Sequence, residues 1–154
     1  MIIVIVIVSL SVSSGYMETP LRAGFIPHCA KSVLEPTQTL TYLGFILNSV
    51  NMTVQLTEEK TERIKSVCSV ILHSRNVKIR QLAELVCLMV AAFPAVKYAK
   101  LYYRVLDNEK SKALTTPYGN FEAYTMLSNE AKADIQWWLD NLDRSEERRV
   151  GKEC

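Results

Sequence analysis

The chain has 154 residues, with 18 Lys and Arg against 16 Asp and Glu, and a formal net charge of +2. A hydrophobic share of 49 % is enough for a packed core and argues against wholesale disorder. Five Gly and five Pro exclude collagen-like and low-complexity repeats. The four cysteines, Cys29, Cys68, Cys87 and Cys154, form no CxxC pair and stand far apart, so neither a zinc framework nor a disulfide scaffold is indicated. The composition is that of a soluble, mostly helical, intracellular protein.

Residues 1–22 are atypical. Ile2 to Val12 (IIVIVIVSLSV) is an apolar run of 11 positions, about half of the roughly 20 that a membrane-spanning helix needs. No Lys or Arg precedes it, which argues against a signal peptide. Its β-branched residues favour a strand. A short secreted protein directed by this run is one alternative reading; a non-enzymatic helical nucleic-acid- or protein-binding module is the other.

Two strands are expected next. Thr39 to Leu47 (TLTYLGFIL) is rich in strand-forming residues, and Met52, Val54 and Leu56 alternate with polar Thr53 and Gln55. Asn48, Ser49 and Asn51 supply the turn between them. Gly44 inside the first strand points either to close approach of another backbone or ligand, or to a bulge or packing glycine.

Helices follow. Thr57 offers a hydroxyl N-cap, with Glu58 and Glu59 in the first turn where the helix dipole favours negative charge. Ile64, Val67, Cys68, Ile71 and Leu72 then fall on one face. A second helix places Ile79, Leu82, Ala83, Val86, Met89, Val90 and Phe93 on its core stripe and ends at Pro94. A third has Tyr98, Leu101, Tyr102, Val105 and Leu106 in the same register. Asn108 to Asn120 reads as a loop. Ser128 caps a fourth helix with Ile135, Trp138, Leu139 and Leu142 on one side. The closing residues 144–154 (RSEERRVGKEC) are highly charged, show no helical face and resemble an adapter translated in frame, so they are read as a non-native tail.

Charge is uneven. Between Arg63 and Arg104 there are eight basic residues and a single acid, Glu84. Lys97, Lys100 and Arg104 are spaced to share one face of the third helix. Lys78 and Arg80 open the second helix, where free backbone amides favour phosphate. Such a patch is either a nucleic-acid footprint or a solvated face. The other candidates are weaker. His28 and Cys29 have no second ligand pair, Cys29 and His73 have no orienting carboxylate, and Asn51-Met52-Thr53 matters only if the protein is secreted. Tyr102-Tyr103 and Trp137-Trp138 are candidate base-stacking pairs.

The segments AGFIPHCAKSVLEPTQTLTYLGFIL and VKIRQLAELVCLMVAAFPAVKYAKLYYRVL resemble the palm end and the thumb of a retroelement reverse transcriptase, closest in type to the tyrosine-recombinase (DIRS-type) retrotransposons. QWWLDNL is similar to the segment that joins thumb to RNase H in that family. The likeness runs from Ala23 to Leu142 and rests on the ordered set LGF, IRQLA, AFP and QWWLDNL. It implies an α+β fold: a short β-hairpin (palm remnant, 23–56), a mainly helical thumb-like bundle (57–112), and a connection-like loop and helix (113–143). It also implies that Leu43, Gly44 and Phe45 lie at the hairpin that grips the primer end, and that Ile79 to Phe93 lies along the template–primer duplex. Lys78, Arg80, Lys97, Lys100 and Arg104 are then phosphate contacts, which set register without reading sequence. Glu84 on the outer face of that helix is unfavourable beside phosphates. The implied partners are an RNA–DNA or DNA duplex and the rest of the polymerase and RNase H, with no membrane.

The family polymerises through an Asp-Asp pair and a third aspartate that hold two divalent metals, magnesium in the parent enzyme. No Asp-Asp pair occurs in this sequence, and its aspartates are Asp107, Asp134, Asp140 and Asp143. The expectation is a chain with no catalytic residues, no metal or cofactor of its own, and no polymerase or nuclease activity.

Overall fold

The computed structural model describes residues 24, 26, 37–115 and 119–142, together with the backbone of Arg148–Arg149. The apolar run Ile2 to Val12, His28 and Cys29, and most of the charged tail lie outside the described residues.

The architecture is α+β: among the described residues, a four-stranded and a two-stranded antiparallel sheet beside four helices. The stretch expected as one strand is two. β1 (Thr39–Tyr42) and β2 (Phe45–Asn48) pair antiparallel through a two-residue turn, Leu43-Gly44. Both turn residues have positive φ, 50° and 76°, the combination that matches the right-handed twist of a tight hairpin. Gly44 is therefore a turn glycine. β3 (Thr53–Leu56) completes a meander by pairing with β2 across residues 49–52. Asn48 shapes that loop, its Oδ1 accepting from the amides of Val50 and Asn51, each at 3.0 Å. β6 (Arg148–Arg149) pairs with the outer edge of β3 at Thr53 and Val54. The outer edge of β1 has no strand partner among the described residues.

α1 (Glu58–His73) starts after Thr57 and buries Ile64, Cys68 and Ile71. Thr57 sits at the N-cap, but its hydroxyl makes no capping bond. β4 (Val77–Lys78) leads directly into α2 (Ile79–Ala92), which is continuous and ends two residues before Pro94. Its buried stripe is Ile79, Leu82, Leu85, Val86, Met89 and Ala92. Val90, expected inside, is exposed, and Leu85 takes the inward place.

The third helix departs from expectation most. The chain makes a short 3₁₀ turn at Ala99–Leu101, breaks at Tyr102 and Tyr103, and only then forms α3 (Arg104–Thr115). Tyr98 has φ +62°, which an α-helix cannot contain. The helix accordingly occupies much of the stretch expected as loop and passes the boundary expected at 112. β5 (Tyr124–Thr125) pairs with β4, and α4 (Asn129–Leu142) follows, capped by the Ser128 hydroxyl, which accepts from the Ala131 amide at 3.1 Å.

α1 packs on α2 and α4, and α3 packs on the same two, so the helices close into one ring. Ile135, Trp138 and Leu142 of α4 share a single core with Leu82, Met89 and Leu106, and Phe45, Val54 and Leu56 of the sheet join it. α4 is thus part of the same packed unit as α1–α3.

The hairpin turn gives a direct test of this arrangement. A Cβ on Gly44 would meet Lys60 Cδ at 3.0 Å, whereas a Cβ on Gly119 (φ +81°) would meet nothing within 4 Å. Gly119→Ala is expected to cost about 1 kcal/mol from φ alone. Gly44→Ala is expected to cost more, because Lys60 must also give way. Urea denaturation of both variants checks this, and equal losses would contradict the packing of Lys60 on the turn.

Candidate nucleic-acid interface

The residues expected at an interface divide between the two ends of α2. With 14 residues at about 1.5 Å each, those ends lie about 20 Å apart.

At the C-terminal end, Lys60 of α1 fastens the Leu43-Gly44-Phe45 turn. Its ammonium lies 3.9 Å from the Phe45 ring centroid and donates to Leu43 O (3.5 Å) and Ala91 O (3.2 Å). Ala91 is in the last turn of α2, where unpaired carbonyls and the helix dipole favour a cation. Burial holds the Lys60 ammonium below the usual lysine range. The Gly44 carbonyl is also occupied, accepting from Thr57 N at 3.1 Å. Both carbonyls of the turn are therefore used inside the fold, while the Leu43 side chain is exposed.

At the N-terminal end, the expected anion site is already filled by the protein. The first amides of α2 are not free: Ile79 N donates to Ala123 O (3.0 Å) and Arg80 N to Phe121 O (2.9 Å). The Glu122 carboxylate lies between the two cations, accepting from Lys78 Nζ at 3.1 Å and Arg80 Nε at 2.5 Å. Hydrogen bonds from Arg80 and Lys78 hold the Glu122 carboxyl below its ordinary range, and the Glu122 bond raises Lys78. Lys78 and Arg80 share one carboxylate, which offsets one of their two charges, at a helix terminus whose first amides are already used. Glu84 is matched: it pairs with Arg63 at 3.1 Å, which disposes of it as an isolated charge on the outer face of α2.

Of the exposed cations with no ion pair among the described residues, Lys97, Lys100 and Arg104 follow α2 closely, while Arg75 and Lys112 stand elsewhere in the chain. Val96 and Ala99 are buried while Lys97, Tyr98, Lys100 and Leu101 are exposed, so this turn points its basic residues outward from an apolar anchor. Lys97, Lys100 and Arg104 do not share a helix face, because the backbone between Tyr98 and Tyr103 is not α-helical. They are instead exposed positions on one short turn and the start of α3. None of the three makes an ion pair among the described residues, and Lys97 Nζ lies 4.9 Å from the Tyr98 ring centroid.

The aromatic pairs proposed for base stacking are used internally. Tyr102 stacks on Trp137 with centroids 3.9 Å apart, Tyr103 meets Phe93 edge-on at 5.0 Å, and Trp138 is buried with its Nε1 donating to Tyr102 O at 2.8 Å.

Several acidic side chains among the described residues are tied into local pairs. Asp107 pairs with Lys110 at 2.5 Å, and Asp140 accepts from Gln136 at 2.9 Å. Glu109 accepts from the Ser128 hydroxyl. Among the described residues no group of three His, Cys, Asp or Glu side chains is placed to hold a metal ion. Free Cys68 is buried, and burial pushes its thiol up to about 12; free Cys87 is exposed.

Asp134 carries a stability consequence. Its Oδ2 is buried without a hydrogen-bond partner, and burial, followed by the charges of Glu130 and Glu109, raises its carboxyl above the usual range. A carboxyl raised on folding binds its proton more tightly folded than unfolded. Its ionisation therefore destabilises the fold as pH rises from the ordinary carboxylate range through the raised value, and the penalty is complete above it. Asp134→Asn is expected to raise the thermal midpoint at neutral pH and to lose that advantage in acid below the ordinary carboxylate range. A gain that is independent of pH would contradict this.

Three residues shape these sites without a signal in the sequence. Lys60 sits in a helical first turn dominated by acids, Glu122 falls between the loop expected at Asn108 to Asn120 and the helix expected after Ser128, and Tyr98 matches an apolar helical spacing. No helix among the described residues is long and apolar enough to cross a membrane. No protein-family model matches the chain, no curated protein matches it, and no solved structure matches it.

Proposed function

We propose that this chain is a non-catalytic, duplex-holding part of an RNA-directed DNA polymerase of the retroelement type. It grips a template–primer duplex through phosphate contacts from Lys97, Lys100 and Arg104. The observation that carries the reading is the contrast among the cations. Arg63, Lys78 and Arg80 are each engaged by a carboxylate of the same chain, Glu122 being shared by the last two, while Lys97, Lys100 and Arg104 stand exposed on a short anchored turn with no ion pair among the described residues. Lys78 and Arg80 serve the fold first and contribute to binding only weakly. The ordered blocks LGF, IRQLA, AFP and QWWLDNL supply the family assignment. The carboxylates that hold magnesium for polymerisation, and those of RNase H, belong to other parts of the parent protein, and free Cys68 and Cys87 are in keeping with a reducing, intracellular setting.

Phosphate contacts predict binding without sequence preference. Two RNA–DNA hybrids of equal length and unrelated sequence are expected to bind with the same affinity, and primer extension with Mg²⁺ or Mn²⁺ is expected to stay at background. A strong preference between the hybrids, or nucleotide incorporation, would refute the proposal.

A second reading is a stand-alone helical binding module. It is favoured by the closure of α1–α4 around one core, which leaves α4 packed into the bundle. The two readings share the Lys97–Arg104 surface and differ in the parent protein.

A further inference from the structure

Tyr98 stands out on three counts. Its backbone adopts φ +62°, a region that favours glycine and that a bulky L side chain rarely enters. The residue is 61 % exposed, so packing does not compensate for that conformation. It lies among the unmatched cations: Lys97 Nζ is 4.9 Å from the ring centroid, and exposed Lys100 and Arg104 follow within six residues. The turn is firm, since Val96 and Ala99 are buried on either side of Tyr98 and the Tyr98 carbonyl accepts from Leu101 N at 2.9 Å. Tyr102, Tyr103, Trp137 and Trp138 spend ring surface on one another or on Phe93. Tyr124 and Phe121 are exposed at the opposite end of α2, with Glu122 beside them.

An exposed aromatic held beside several phosphate-binding cations is the arrangement that takes a stacked base on a single strand. A paired base hides its faces in the duplex, so the ring suits an unpaired one. We propose that Tyr98 is a stacking platform for an unpaired nucleobase, on a strand whose phosphates lie against Lys97, Lys100 and Arg104. This rests on the nucleic-acid reading above and extends it to the junction where a duplex becomes single-stranded.

The test uses the full chain and two probes: a blunt RNA–DNA hybrid, and the same hybrid with a short single-stranded overhang carrying 2-aminopurine. Wild type is expected to bind the overhang probe more tightly, by on the order of 5- to 100-fold, and to quench the 2-aminopurine emission. Tyr98→Gly suits the observed φ, so its thermal midpoint is expected to equal or exceed that of wild type. It is expected to lose the overhang preference and the quenching while still binding the blunt hybrid. Tyr98→Phe is expected to keep both. If wild type binds the blunt hybrid but shows no overhang preference or quenching, or if Tyr98→Gly retains them, the stacking role is refuted alone. If wild type binds neither probe, the nucleic-acid reading and the stacking role fall together.

Discussion

Trp138→Ala is expected to lower stability by about 3–5 kcal/mol. That is a large share of the roughly 5–15 kcal/mol that holds a typical domain together. The residue is fully buried on α4, at 0 % exposure. Its indole belongs to the common core, and its Nε1–H donates to Tyr102 O at 2.8 Å. Alanine leaves a cavity and removes the donor to that carbonyl, which sits where the 3₁₀ turn passes into α3. Trp138→Phe keeps most of the volume and loses the hydrogen bond, so it is expected to cost less. Trp137→Ala is also expected to cost less, because Trp137 is half-buried and its main contact is the stack on Tyr102. Urea denaturation ranks the three, and a Trp138→Ala protein as stable as Trp137→Ala would contradict α4 as part of the common core.

Joint replacement of Lys97, Lys100 and Arg104 by alanine is expected to weaken hybrid binding by on the order of 10- to 100-fold near 0.1 M salt. Each lost phosphate contact is also expected to flatten the dependence of log K on log salt by about 0.9, so the triple variant loses a slope of about 2–3. Replacing Lys78 and Arg80 is the informative contrast. Glu122 engages both side chains, at 3.1 and 2.5 Å, and offsets one of their two charges, so their loss is expected to change the slope by about 1 at most. The three cations are exposed and unmatched among the described residues, so their removal is expected to leave the thermal midpoint within a few degrees of wild type. Gel-shift or anisotropy titrations at several salt concentrations decide between the two sets. A larger effect from Lys78 and Arg80 would move the interface to the other end of α2.

Much of the helical architecture is legible in the residues because it depends on periodicity. Ile64, Cys68 and Ile71, and again Ile135, Trp138 and Leu142, recur at helical spacing and are the side chains that α1 and α4 bury. α2 ends where Pro94 says it should. What was not legible depends on backbone sign or on distant pairing. The turn at Leu43-Gly44 carries only one of the two residues that mark a tight hairpin, so strand-forming neighbours on both sides hid it. Tyr98, Leu101 and Leu106 follow helical spacing, yet a single positive φ at Tyr98 leaves the first two outside and only Leu106 buried. The second half of α3 is polar almost throughout and offers little stripe to read. At the site, the positions of the basic residues were visible, but their partners were not. Glu122 reaches Arg80 and Lys78 across 42 and 44 residues, a separation that no local pattern encodes.

The central claim is that exposed cations of this chain hold a nucleic-acid duplex by its phosphates. Its most direct test is a titration of the full chain against a roughly 20-base-pair RNA–DNA hybrid at rising salt, where log K is expected to fall linearly with log salt at a slope of about −2 to −3. Affinity that does not change with salt, or no binding at low salt, would contradict it.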